Sequence, residues 1–274
     1  MSKKNIPSIS CAIAVLLLPL SSFSQSLLLH GRASKENDKW TGVKLYEKCS
    51  HDGKDCYEVC GSSISDELVP LEEGKKYKTS GWFNKAANAD EVNFLLGLVP
   101  YDKNKIRINE SEVNPVKQTE TILAAPCKAA DTSLKIKDGR KWLPGAIYLV
   151  AFDVDDSGNH TDLPNRNLSN VGVAKVAESG DCWQVEMAKA CGRDFPAGTK
   201  IREHSLGSKF MYPVHVKNAE TTWKEYSGVI TAVREVGTPS DKLFVGTKYV
   251  SPGVVSLSGP GKVFFDDIRL EESK

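Results

Sequence analysis

The sequence predicts an all-β protein of sandwich or barrel type, and three observations carry that expectation. Short runs of alternating apolar and polar residues recur along the chain, each bounded by Gly, Pro, Asn or Asp. No stretch sustains the 3.6-residue period of an amphipathic helix. The 274 residues, 40% hydrophobic and 26% charged, have an ordinary globular composition, with room for one large or two ordinary domains.

The chain opens with Lys3 and Lys4, an apolar run over residues 9–20, and the small-x-small pattern Ser22-Phe23-Ser24. Residues 1–25 therefore read as a cleaved signal peptide, which makes the protein secreted or periplasmic. The apolar run is too short to span a bilayer comfortably and no second one follows, so no membrane span is expected. Most of the apolar run follows Cys11 rather than preceding it, which argues against a lipid anchor. A formal net charge of +1 without a basic stripe argues against nucleic acid as a partner.

Six cysteines follow the signal: Cys49, Cys56, Cys60, Cys127, Cys182 and Cys191. An even count in an exported chain reads as disulfides. Cys182 and Cys191 flank DCWQVEMAKAC and are placed to close a hairpin. Cys49, Cys56 and Cys60 share one turn-rich segment, where at least one local bridge is expected. If both bridges are local, Cys127 pairs with the leftover thiol of the first cluster; the other connectivities stay open. Zinc is disfavoured, because the spacings are not paired CxxC and no nearby histidine completes a set.

Strand-like runs follow at residues 75–84 (KKYKTSGWFN), 132–139, 145–154, 170–178, 223–233 and 262–270 (KVFFDDIRL). In the first, Tyr77, Thr79, Gly81 and Phe83 share one face, and Lys78, Ser80, Trp82 and Asn84 the other. In the last, strict alternation sets Asp266 on a face with Phe264, Ile268 and Leu270, opposite Phe265, Asp267 and Arg269. A carboxylate on an apolar face is costly unless a cation or several donors meet it. The middle of the chain has its own turns and strands. Residues 121–212 are therefore expected to form a small β-domain inserted into a loop of a sandwich built from 26–120 and 213–274.

Three stretches carry a family resemblance: LEEGKKYKTSGWFNKA (71–86), TTWKEYSGVITA (221–232) and the ending VFFDDIRLEE. In this order they resemble the jelly-roll carbohydrate-binding modules of families four and nine, within the galactose-binding-like superfamily. The resemblance implies a jelly-roll sandwich and a polysaccharide or glycan partner. It also implies a structural calcium beside the final strand, ligated by the Asp266–Asp267 pair and by first-strand carbonyls. Calcium takes six to eight oxygen ligands; the plainer reading is that Asp266 accepts hydrogen bonds from nearby backbone or an arginine. The first strand here, SLLLHGRASKEND, has Gly31 but lacks the acidic residue usual just after it.

Sugars are held by flat aromatic rings with polar side chains for their hydroxyls. Trp82 among Lys78, Ser80 and Asn84 meets that description, and Tyr101, in the turn after Pro100, opens onto a second such surface. Trp40, Trp142, Trp183 and Trp223 read as packing. The five histidines lack metalloprotease spacing, and there is no nucleophile elbow or CxxC pair, so no motif points to an enzyme. The expected function is non-catalytic carbohydrate binding outside the cell. The alternatives are a jelly-roll glycoside hydrolase or polysaccharide lyase with scattered residues, and a structural or adhesive surface protein.

Overall fold

The computed structural model describes residues 26–36, 39–259 and 262–273, apart from the side chain of Asn170. The expected signal peptide, with Cys11, lies outside them. In chain order the elements are β1 (Trp40–Tyr46), β2 (Cys56–Ser65), β3 (Val69–Pro70), β4 (Lys76–Lys85), β5 (Phe94–Tyr101), the helical turn α1 (Glu110–Val113), β6 (Thr121–Ile122), β7 (Ser133–Ile136) and β8 (Gly145–Phe152). Then come β9 (Leu168–Ser179), β10 (Cys182–Met187), β11 (Lys200–Ser205), β12 (Met211–Val216), β13 (Lys224–Glu235), β14 (Lys242–Phe244), β15 (Tyr249–Ser256) and β16 (Val263–Ser273).

The protein is all-β. One sheet runs in the order β12-β5-β15-β2-β16-β4-β13-β14, with β1 beside β2 and β3 beside β15. It doubles over at β2, whose Ser62 and Ile64 pair with β15 while Tyr57 and Glu58 pair with β16. The two halves meet face to face as a jelly-roll sandwich. Phe83 of β4 stacks on Phe94 of β5 with ring centres 4.3 Å apart, and Tyr226 of β13 stands edge-on to Phe94 at 5.4 Å. The three stretches that carry the family resemblance form β4, β13 and β16, which are direct neighbours in one layer.

A second sheet, β6-β11-β8-β9-β10-β7, is built only from strands between Thr121 and Ser205. It has a separate core that includes Trp142, Val150, Val185 and Ile201, with Phe152 stacked on Phe195 at 3.9 Å. Met211 and its neighbours already pair with β5, so the sandwich resumes two residues ahead of the expected boundary at 213.

Strict alternation fails in β16. Phe265, not Phe264, is in the core, and Ile268 and Leu270 are buried with it. The reason is a bulge between Asp266 and Arg269, where Asp267 adopts φ 51°. One extra residue reverses the faces of the strand beyond it. Asp266 therefore points outward beside Trp82, its register partner in β4, and not into the sandwich core.

The expected Cys182–Cys191 bridge is absent. Cys182 is the first residue of β10 and Cys191 lies past its far end, so a strand of six residues, about 20 Å long, runs between them. Cys49 and Cys56 are bridged, while Cys60, Cys127, Cys182 and Cys191 are free thiols. Nor does Cys127 meet Cys60, which is exposed on β2 of the sandwich, whereas Cys127 is buried in the second core.

The seam between sheet and sandwich is polar. Consecutive β11 residues Arg202, Glu203 and His204 are all fully buried. Arg202 donates to Asp162 at 2.6 Å and to His204 Nε2 at 2.9 Å, and His204 Nδ1–H donates to the Ser111 carbonyl. Burial, joined by the neighbouring Arg202 charge, pulls the His204 imidazole down to about 4. Glu203 accepts only the Leu143 N–H, at 3.0 Å from each oxygen, and burial pushes its carboxyl up to about 7. Between the ordinary carboxylate range and pH 7, the unfolded chain ionises this residue while the fold keeps it protonated. Glu203 therefore lowers stability as pH rises through that window, whereas neutral His204 lowers it as pH falls from about 6.5 towards 4. Glu203→Gln is expected to abolish the decline on the alkaline side and to gain on the order of 3 kcal/mol at pH 8. Urea titrations from pH 4 to 8 check this; an unchanged pH profile would refute it.

Candidate functional site

The outward row of β4 holds Lys78, Ser80, Trp82 and Asn84, as expected from alternation, but it is not an open platform. Residues 47–55 form a loop closed by the Cys49–Cys56 disulfide, whose Cα atoms are 5.5 Å apart. Trp223 Nε1 donates to the Cys49 carbonyl at 2.8 Å and ties the loop to the sheet. The loop lays the His51 ring flat on Trp82, with centres 4.2 Å apart and planes 4° from parallel. The ring face a sugar would take is thus already occupied. Ser80 is buried, and Lys78 and Asn84 are half-buried.

Beneath the same loop lies Asp266, 1% exposed. Its Oδ1 accepts the Ala33 N–H at 3.0 Å; its Oδ2 has no hydrogen-bond partner among the described residues. Burial pushes this carboxyl above the usual range. His51 Nδ1, also without a hydrogen-bond partner, is 3.8 Å from Asp266 Oδ2. Asp267 differs: it pairs with Arg269 and lies 3.5 Å from Arg32, which also holds Asp52 at 2.8 Å.

His51, Asp52 and Asp266 offer ligand atoms within 4.8 Å of one another. They do not fit calcium. One donor is an imidazole nitrogen, where calcium takes oxygens. Asp267 is committed to two arginines, and the Gly31 carbonyl of the first segment already accepts the Ile268 N–H at 2.9 Å.

The other layer has an open trough. On the outward faces of β5 and β15 the register sets Tyr101 opposite Tyr249, Val99 opposite Ser251, Gly97 opposite Gly253 and Leu95 opposite Val255. Ile64 and Ser62 of β2 continue the last two rows. Gly253 leaves a depression in the sheet, while Gly97 makes room for a close approach of β12 and the residue before it. Phe210 leans over Gly97, where an added Cβ would lie 2.8 Å from its ring and 1.9 Å from the Met211 carbonyl, so that position admits only glycine. The trough encloses ≈ 430 Å³, and Arg107, Ser208 and Lys209 stand at its rim. Arg107 Nε is buried without a partner and so remains available as a donor. Arg107 and Lys209 also line an adjoining polar chamber with Glu110, Glu112 and Arg166. There Glu112 is held by Arg166 at 3.3 Å and by Asn109 at 2.8 Å.

Of the residues singled out in the sequence, Tyr101 shares the outward face of β5 with the trough but does not line it, while Trp82 and Asp266 come together beneath the disulfide loop. Trp40 is buried in β1 and Trp142 in the second core. Sequence reasoning missed His51, Phe210, Arg107 and Lys209. The available signal was glycine inside two strands, FLLGLVPY and YVSPGVVS, which marks a close backbone approach or a gap in the surface.

No family model matches this sequence, and no curated protein does. Among solved structures, the chain is similar to the CBM22-1 xylan-binding domain of Xyn10C from Paenibacillus barcinonensis. The identity is 7%, over 92% of this chain and 96% of that one, with a TM-score of 0.36.

Two outcomes are expected at the Asp266 cluster. Calcium added after chelator treatment should leave the melting temperature unchanged, and a rise of several degrees would reverse the assessment of its donors. Because a buried carboxyl with a raised pKa costs stability at neutral pH, Asp266→Asn should melt no lower than the parent at pH 7. A clear drop would mean that a cation or protonated His51 offsets the charge.

Proposed function

We propose that the protein is an exported, non-catalytic carbohydrate-binding protein that takes a stretch of polysaccharide along the trough over β5, β15 and β2. The observation that carries this reading is the depression at Gly253, on the same outward face as two half-buried tyrosines, Tyr101 and Tyr249, and rimmed by Arg107, Ser62, Ser208 and Lys209. Tyrosine gives a flat apolar ring for the CH face of a sugar and a hydroxyl for its edge. The cations and serines supply donors for ring hydroxyls. The volume lies within the range of small-molecule sites, yet the trough is open along its length and buries little of a long ligand, so affinity should be modest.

The order of the three family-like stretches along β4, β13 and β16 supports the same reading. Trp82, with Lys78, Ser80 and Asn84, then anchors the disulfide loop and does not stack on sugar. The segment expected at 121–212 makes an inserted β-domain that ends before Met211; the support is a sheet and core drawn wholly from that segment. Export to the cell exterior or periplasm rests on the leader at 1–25.

A glycan array with a reducing-sugar assay tests the function, with binding and no product release expected. Product release from a polysaccharide would turn the reading into an enzyme, and no binding would sink it. Two variants locate the site. Gly253 is extended, and an added Cβ meets nothing nearer than 3.4 Å. Gly253→Leu should therefore fill the floor without strain and weaken binding tenfold or more, about 1.4 kcal/mol, at an unchanged melting temperature. Trp82→Ala should lower the melting temperature and leave affinity intact. The opposite pattern would move the ligand to the β4 face.

A further inference from the structure

We propose that Cys127 and Cys191 form a second disulfide, which closes the β7–β10 excursion at its base and staples the second sheet. Both are buried, at 2% and 6% exposure, in one hydrophobic core, where Cys191 adjoins the Cys127 thiol, whose own S–H donates to the Lys128 carbonyl at 3.5 Å. The segments that carry them are already locked together. Cys127 and Phe195 exchange both backbone hydrogen bonds, at 2.9 and 2.8 Å. The Gly192 N–H donates to Ala129 and the Cys191 N–H to Asp131, each at 2.8 Å. Asp194 accepts the Ala129 N–H at 2.8 Å and pairs with Lys128 at 3.2 Å. These hydrogen bonds hold the two cysteine-bearing segments side by side.

The other thiols are poor competitors. Cys182 sits at the far end of β10, opposite Ser179 of the β9–β10 turn, and Cys60 is exposed on the sandwich. The bond enclosing β7, β8, β9 and β10 would close a long loop, the case in which a cross-link restricts the unfolded chain most.

The chemistry needs an oxidant, and a disulfide such as oxidised glutathione serves. One thiolate attacks it to give a mixed disulfide and release one glutathione. The second protein thiolate then displaces the other. Two S–H bonds are lost, one S–S bond forms, two protons go to solvent and two electrons reduce the glutathione. Attack requires thiolate, and burial pushes the Cys127 thiol up to about 12. The bond therefore forms while the chain folds, and slowly once the core has closed.

The test is refolding of the full chain, denatured and reduced, in a mixture of reduced and oxidised glutathione. Free thiols are then alkylated, and trypsin digestion without reductant is followed by mass spectrometry. The expected product joins peptide 118–128 to peptide 190–193, with Cys60 and Cys182 alkylated. Recovery of either peptide alkylated, or joined to Cys60 or Cys182, overturns the proposal. A second measurement separates this bridge from Cys49–Cys56. Reductant should lower the melting temperature of the parent more than that of a Cys127→Ser, Cys191→Ser double variant. An equal drop in both counts against the staple.

Discussion

The bulge at Asp266–Asp267 is the constraint on which the rest depends. β16 lies between β2 and β4, at the point where the doubled sheet needs apolar side chains along its whole length. Without an extra residue, Phe265 and Ile268 would face opposite sides and one of them would be lost from the core. By placing Asp267 in the left-handed region, the strand presents Val263, Phe265, Ile268 and Leu270 to one core. A non-glycine residue there is strained, and the pairing of Asp267 with Arg269 and Arg32 holds it in place. The cost of the bulge is a carboxylate, Asp266, turned outward next to Trp82.

That displaced carboxylate explains why one face of the sandwich is closed. The disulfide loop folds over Asp266 and Trp82, and His51 covers the indole that alternation alone would leave bare. The opposite layer has no such cover. Gly253 there has no side chain to fill the surface, so the concavity arises beside it, while Phe210 and Met211 occupy the space over Gly97. The two faces are unequal because a loop covers one and Gly253 leaves a gap in the other.

The second sheet adds a polar seam. Arg202, Glu203 and His204 are buried where the segment after α1 crosses β11, and each polar group has a definite partner. The imidazole is fixed as one tautomer, donating through Nδ1 and accepting through Nε2. Buried networks of this kind favour one geometry, although Asp162 Oδ1 has no hydrogen-bond partner among the described residues. Here the geometry sets how the second sheet meets the sandwich, and Arg107 and Arg166 line the chamber beside it.

Strand existence was legible because alternation and turn residues are local signals. The order of the three family-like stretches was equally readable, and they became adjacent strands. Asp266 could be flagged as anomalous from pattern alone. Its surroundings could not, because His51 reaches it only through a loop whose path depends on the Cys49–Cys56 bridge and on Trp223. Likewise the burial of Arg202, Glu203 and His204 could not be read from pattern, since nothing nearby in sequence supplies Asp162, Ser111 or Leu143. By itself, then, the sequence determined the β class, the core faces of strands without bulges, and the cysteines available for bridging. Only the tertiary structure decided which aromatic is covered, which face is open and which thiols meet, because each depends on contacts between residues far apart in the chain.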